Sequence, residues 1–239
     1  MIAAPKTPNL LTQFRILFRQ TLKAEFADRE RVISPILFAM VILVVIAFTF
    51  GEPAPELRPA AFVAQVFLSL ILATQTALSR VFDPEYQDRA FDLLRATPVS
   101  PSAIFLAKLA VVLMQGATIL VPSIAISALF CGVSLPLDRL LAFTGLCLLT
   151  VAGLGSLGVT LAAMTLRAHA RTVLFPLLYF PLSTPLLLAG TQGGAAIVAP
   201  ETMVAAASMI GGWVTVSISA NVIFLTLGIL LFGELVKSD

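Results

Sequence analysis

Hydrophobic positions in this chain come in long unbroken blocks rather than alternating with polar ones. Runs without a charged residue cover 32–51, 59–79, 109–137, 140–166, 172–200 and 202–233. Each reaches the ~20 residues that a helix needs to cross a ~30 Å hydrocarbon core. None shows the polar stripe of a helix packed on a soluble core. A closed β-barrel also satisfies every backbone group in lipid, but it needs alternating segments of about ten residues, which are lacking here. The pattern predicts an all-α integral membrane protein, a single domain over 1–239 with six transmembrane helices.

Composition agrees. Of the 239 residues 59% are hydrophobic and 12% charged, against roughly 25% charged in a soluble domain, and mean hydropathy is +1.00. The basic residues fall unevenly across the expected spans. With a cytoplasmic N-terminus, thirteen Lys and Arg lie inside, from Lys6 to Lys237, and only Arg58 and Arg139 lie outside. The positive-inside rule then places both termini in the cytoplasm. The first apolar run begins near residue 32, too late for a cleavable signal peptide. Topology accounts for the basic residues, so the net charge of +2 gives no reason to expect nucleic acid.

Two stretches outside the spans carry patterns of their own. In residues 9–31, Phe14, Phe18, Leu22 and Phe26 recur every four positions, and Arg15, Arg19 and Lys23 repeat one residue later. This is the pattern of a helix in the membrane interface, with cations near anionic headgroups; a helix packed on a partner protein is the alternative. Ser34-Pro35 then reads as the start of span 1. In residues 83–98, Asp83-Pro84-Glu85 is a helix start and Thr97-Pro98 a stop. Tyr86, Ala90, Leu93 and Leu94 share one face of the intervening helix, and Glu85, Asp88, Asp92 and Arg95 the other. A connection of 2–8 residues would suffice here. The extra length predicts a cytoplasmic docking helix over about 83–97; a solvated cap on the bundle is the alternative.

The remaining spans are expected at about 60–79, 103–129, 140–166, from about 172, and 211–233. Ser100-Pro101 starts the third, and Pro122 should kink it. Gly145, Gly153, Gly155 and Gly158 should let the fourth approach its neighbours closely. Pro176, Pro181 and Pro185 should bend or locally unwind the fifth. Residues 190–210, nearly uncharged, are expected to form a short helix dipping into the outer leaflet or packed on the bundle.

Candidate chemistry is sparse. No ionisable group stands at the centre of a span, whereas proton-coupled transporters use such groups. The sequence holds no GxxxxGK[ST] nucleotide loop and no HExxH. His169, the only histidine, lies between Arg167 and Arg171, more apt for a loop or partner contact than for ligating haem iron. Cys131 and Cys147 lack metal or disulfide spacing and read as small packing residues. No catalytic or metal-binding residue is expected, and no haem-binding residue is identifiable. Such a bundle calls for an energy source outside the chain.

The run Phe82 to Lys108, with Gln87-Asp88, Leu94, Pro98 and Leu106-Ala107-Lys108, resembles the B subunit of the haem-exporter ABC transporters of cytochrome c maturation. So does Pro181-Leu-Ser-Thr-Pro185-Leu-Leu after a glycine-rich span, and the likeness covers nearly the whole chain. ABC-2 type permeases more broadly share the acidic helix followed by proline. Where that family often has Gly-x-Leu-Glu, this chain has Arg89, Phe91 and Asp92, so the acid persists as Asp92 and the glycine does not. The resemblance implies an ABC-2-like permease in the bacterial inner membrane that binds no cofactor itself. It implies two copies paired with cytoplasmic ABC ATPase subunits that use ATP. It further implies another haem-handling membrane subunit, a small accessory membrane peptide, and haem as cargo. On this reading Asp83, Glu85, Asp88, Asp92 and Arg95 contact the ATPase. Whether the chain conducts haem or only transmits force is open at this level, as are a permease for another amphipathic or lipid-like cargo and a non-transporting scaffold.

Overall fold

A computed structural model describes residues 9–27, 29–82, 99–165, 171–199 and 203–237. Among them the secondary structure is helical throughout: α1 (Leu10–Ala27), α2 (Arg29–Phe50), α3 (Arg58–Ser79), α4 (Pro101–Cys131), α5 (Leu137–Thr165), α6 (Arg171–Val198) and α7 (Met203–Lys237). Six of these, α2 to α7, are long and apolar enough to cross a membrane. The six-span reading therefore holds.

Several boundaries differ from the sequence expectation. Helix α2 begins at Arg29, and Pro35 sits inside it. Glu30 lies in its first turn, where a carboxylate favours the positive end of the helix dipole. Helix α6 runs continuously through Pro176, Pro181 and Pro185, so the expected local unwinding does not occur. Residues 190–198 simply continue α6, and α7 starts at Met203, so the described residues of 190–210 belong to two long helices and not to a separate short one. Pro122 likewise lies within an unbroken α4. The start of α4 is as expected: Ser100 is extended (φ −68°, ψ 128°) and Pro101 takes the first helical position. Its end is closed by Gly132 at φ 61°, a left-handed cap that glycine adopts without steric cost.

Helix α3 is the hub, packing on α2, α4, α5 and α6, while α5, α6 and α7 pack mutually. Across its most apolar stretch α3 is 61% buried, against 22% for α2 and 11% for α7. The last two are thus the flanks of the bundle. Two apolar clusters fill it. The outer one centres on Phe62, Phe67, Phe143 and Ile197. The inner one holds Leu78, Phe82, Phe105, Phe175, Tyr179 and Phe232.

Glycines set the helix spacing. A Cβ on Gly153 would lie 2.7 Å from Leu186 Cδ1, and one on Gly155 2.9 Å from Leu109 Cδ1. Gly158 is pressed against Leu78, and Gly190 against the Phe67 ring and Thr150. Gly145 is different, with open space where its Cβ would go, so three of the four glycines expected at close contacts are there. Gly190→Val should therefore cost about 1–3 kcal/mol by overpacking, whereas Gly145→Val should be tolerated. Melting temperatures of the detergent-solubilised variants test this; equal melting of the two would refute the close-packing role.

Candidate functional site

The five residues expected to contact an ATPase, Asp83, Glu85, Asp88, Asp92 and Arg95, lie outside the described residues, as does His169. What the structure defines is the frame around them. Val81 and Phe82 precede residues 83–98, and Val99 and Ser100 follow.

On the leading side α3 ends in a tight turn, with the amides of Arg80 and Val81 donating to Ala77 O and Leu78 O. Phe82, fully buried, stacks on Phe232 at 6.0 Å between centroids, and Phe232 contacts Phe105. Lys108 reaches this turn from α4. Its stem lies in the apolar core, only 3% of the residue is exposed, and Nζ donates to Val81 O at 2.8 Å. The same ammonium stands 5.3 Å from the Phe82 ring centroid. Two physical effects favour a cation there. A helix C-terminus carries partial negative charge and unpaired carbonyls, and an aromatic face attracts a desolvated ammonium.

On the trailing side the Ser100 amide donates to Gln13 Oε1 at 2.8 Å. Ser100 N precedes the first helical residue of α4, so an outside acceptor is needed, and α1 supplies it. Gln13 is 8% exposed and Glu25, at the other end of α1, 6%. Gln115 Nε2 of α4 donates to Glu25 Oε2 at 3.2 Å, and Arg31 Nη1 of α2 lies 3.9 Å from Glu25 Oε1. Arg80 pairs with Glu30 at 3.6 Å. Gln13 and Glu25 are ~18 Å apart along α1, and Ser100 and Gln115 ~22 Å apart along α4, at 1.5 Å per residue. Two pins so spaced, in the same order on both helices, exclude a perpendicular crossing. Helix α1 therefore leans along the first half of α4, with Leu17 against the inner cluster and Leu11 and Phe26 exposed.

Sequence reasoning missed Gln13, Glu25, Lys108 and Gln115 as structural pins. The signals were present: Gln13 and Glu25 interrupt the inward side of an apolar stripe, and Lys108 is the sole charge between Pro101 and Leu137. Topology alone had seemed to explain Lys108.

The opposite rim is built similarly. Arg58 pairs with Glu52 at 2.5 Å and donates to Pro53 O, closing the α2–α3 connection against Gly132. Arg139 donates to Ile197 O and Ala199 O, satisfying the end of α6. Both basic residues expected outside are thus structural clips. Between α4 and α5 on this half opens a cleft of about 550 Å³, lined by Leu120, Val121, Ile124, Leu140, Leu141 and Leu148, with Thr144 its hydroxyl. Among the described residues no three His, Cys, Asp or Glu side chains gather to hold a metal. Cys131 and Cys147 are buried without a disulfide.

Six apolar spanning helices, a short helix leaning on them and charged pins at both rims define a multi-pass integral membrane protein whose described chemistry is structural. The profile of the CcmB protein family matches residues 12–228, taking in the pins on α1 and α4, and the chain belongs to that family. It is 28% identical over 175 residues to heme exporter protein B of Rhodobacter capsulatus, an overlap covering 70% of this chain and 78% of the relative.

The Glu25 bonds make a local prediction. In Glu25→Ala the Gln115 amide and Arg31 lose this carboxylate, a change worth about 1–3 kcal/mol. Amide hydrogen exchange within residues 10–27 should quicken while the α3 and α5 cores keep their protection. Unchanged exchange in α1 would show that Glu25 does not hold it.

Proposed function

We propose that this chain is the membrane subunit of an ATP-driven ABC transporter that exports or delivers haem for cytochrome c biogenesis. It sits in the bacterial inner membrane with both termini cytoplasmic. A separate ABC ATPase hydrolyses ATP and docks on residues 83–98 through Asp83, Glu85, Asp88, Asp92 and Arg95. A second copy of the chain, another haem-handling membrane subunit and a small accessory membrane peptide complete the assembly. Haem is its cargo, and the chain itself holds no cofactor.

Family membership and the relative's description as a heme exporter support the cargo. The thirteen-to-two distribution of basic residues supports the orientation. The observation that carries the docking reading is the frame itself: both flanks of residues 83–98 are bonded to the bundle, by Lys108 at Val81 and by Gln13 at Ser100. An element of charged helical pattern held at both flanks suits the transfer of force between a cytoplasmic motor and the spans. The buried charges Glu25 and Lys108 of that rim bond to neighbouring helices or helix ends, which favours force transmission over haem conduction as this subunit's part.

Reversing the acidic face with Asp88→Lys and Asp92→Lys together should abolish co-purification of the ATPase subunit and leave membrane insertion intact. In cells lacking the native gene, the wild-type chain should restore covalently haem-stained c-type cytochromes and the double variant should not. Undiminished ATPase co-purification would overturn the docking reading. Normal cytochrome c assembly without the chain would overturn the cargo, leaving a lipid-like substrate or a scaffold role.

A further inference from the structure

We propose that the cleft between α4 and α5 is a resident site for one acyl chain of a phospholipid, drawn from the leaflet on the side of the α4–α5 connection. The inference goes beyond the transporter reading and does not rest on it.

The cleft exists because two helices that touch at one level part at the next. Gly116 of α4 is pressed against Val151 of α5, and Gly155 meets Leu109 and Val112 just below that contact. From there toward the α4–α5 connection the space between the helices is open, about 550 Å³ of it. Leu120, buried, and Ile124, half-buried, form its floor. Val121 and Leu141, both exposed, form its lips. Val133 and Leu135 of the connection stand at its far end.

What fills this space follows from chemistry and size. The lining is aliphatic except for the Thr144 hydroxyl, and a water needs two to four polar partners, so water does not fill it. An empty void would forfeit the dispersion contacts of the whole lining. The lips belong to the same exposed apolar surface as Leu129 and Leu137, the surface that lipid covers. The filler is therefore continuous with the bilayer hydrocarbon.

Its dimensions name it further. Helix α4 faces the cleft from Ala117 to Ala128, ~16 Å at 1.5 Å per residue, and one leaflet of a ~30 Å core is ~15 Å deep. The 550 Å³ spread over that length leaves a mean width of about 6–7 Å. A helix with its side chains is ~10–12 Å across and does not enter, which sets aside a span of a second copy or of another subunit. A single extended hydrocarbon chain does enter. Because the cleft closes at Gly116 and Val151, that chain has no way through the bundle. It is a wedge between the parting halves of α4 and α5, and not a passing cargo.

The test uses the full-length chain in nanodiscs of phosphatidylethanolamine and phosphatidylglycerol, doped with a phospholipid that carries a photoactivatable diazirine on one acyl chain. Cross-linked peptides are read by mass spectrometry. A diazirine near the chain end should mark α4 around Ala117 and Leu120, and one near the ester should mark Val133 and Leu135. Labelling of the cleft, per exposed residue, should exceed that of the flanks α2 and α7 about tenfold, as a tenfold preference over bulk lipid would give. Ala125→Phe, which fills the cleft from α4, should lower cleft labelling to the level of the flanks and leave the flanks unchanged. Its melting temperature should also depend less on added phospholipid than that of wild type, because the ring stands in for the chain. Should Ala125→Phe fail to fold, Ala117→Leu repeats the test from the deep end. Cleft labelling no higher than the flanks overturns the proposal, since the lipid there is then ordinary bilayer solvent, and absent labelling shows the cleft closed or covered and overturns it too. So does labelling that ignores diazirine depth, or that persists undiminished in both variants. Labelling by photoactivatable palmitate with none by the phospholipid overturns the assignment to a phospholipid chain.

Discussion

Hydrocarbon offers no hydrogen-bond partner to a peptide group, and the rest of this structure follows from that constraint. Every span must satisfy its own backbone, which makes each of them a helix. Many hydroxyls in the spans follow the same rule. Thr76, Thr150, Ser156 and Thr160 each donate to the carbonyl four residues back. A polar side chain that bonds within its own turn leaves the apolar surface intact for packing. Only a few, such as Asn221 reaching Leu149 O, cross between helices. Lipid tails are as apolar as leucine, so helix association relies on close fit; Gly116, Gly158, Gly190 and Gly228 are where the fit is closest.

Charges are confined to the two rims, where several of them join one helix to another. At one rim Arg58 and Arg139 clip short connections to helix ends. At the other rim Glu25, Arg31 and Gln115 connect α1, α2 and α4, Gln13 joins α1 to Ser100, and Lys108 joins α4 to Val81. The same kinds of bond thus brace both ends of the bundle. Lys108 shows how a buried rim cation is used: its ammonium bonds Val81 O and lies near the Phe82 ring, just past the end of α3.

Much of this could be read from residue order. Span number came from uncharged runs, because bilayer thickness sets helix length independently of packing. The start of α4 followed from Ser100-Pro101, a local steric preference. Less legible were positions where local chemistry and tertiary packing disagree. Ser34-Pro35 has the chemistry of a helix start, yet α2 begins at Arg29 because proline is tolerated inside a membrane helix. Pro176, Pro181 and Pro185 likewise leave α6 continuous. Gly145 shares its helix with three contact glycines but faces open space.

By itself, then, the sequence determined that the chain is a six-span membrane protein, that its basic residues crowd one side, and that a charged, patterned stretch over 83–98 lies between spans two and three. These properties depend on hydrophobicity, length and charge, which are additive along a chain. Tertiary structure alone decided that Lys108 meets Val81, that Gln13 meets Ser100, and that α1 leans on α4 through Glu25 and Gln115. Each of those pairs joins residues from 27 to 90 positions apart. Their partners are backbone groups and amides that any sequence possesses, so only folding shows which ones are left unpaired and within reach.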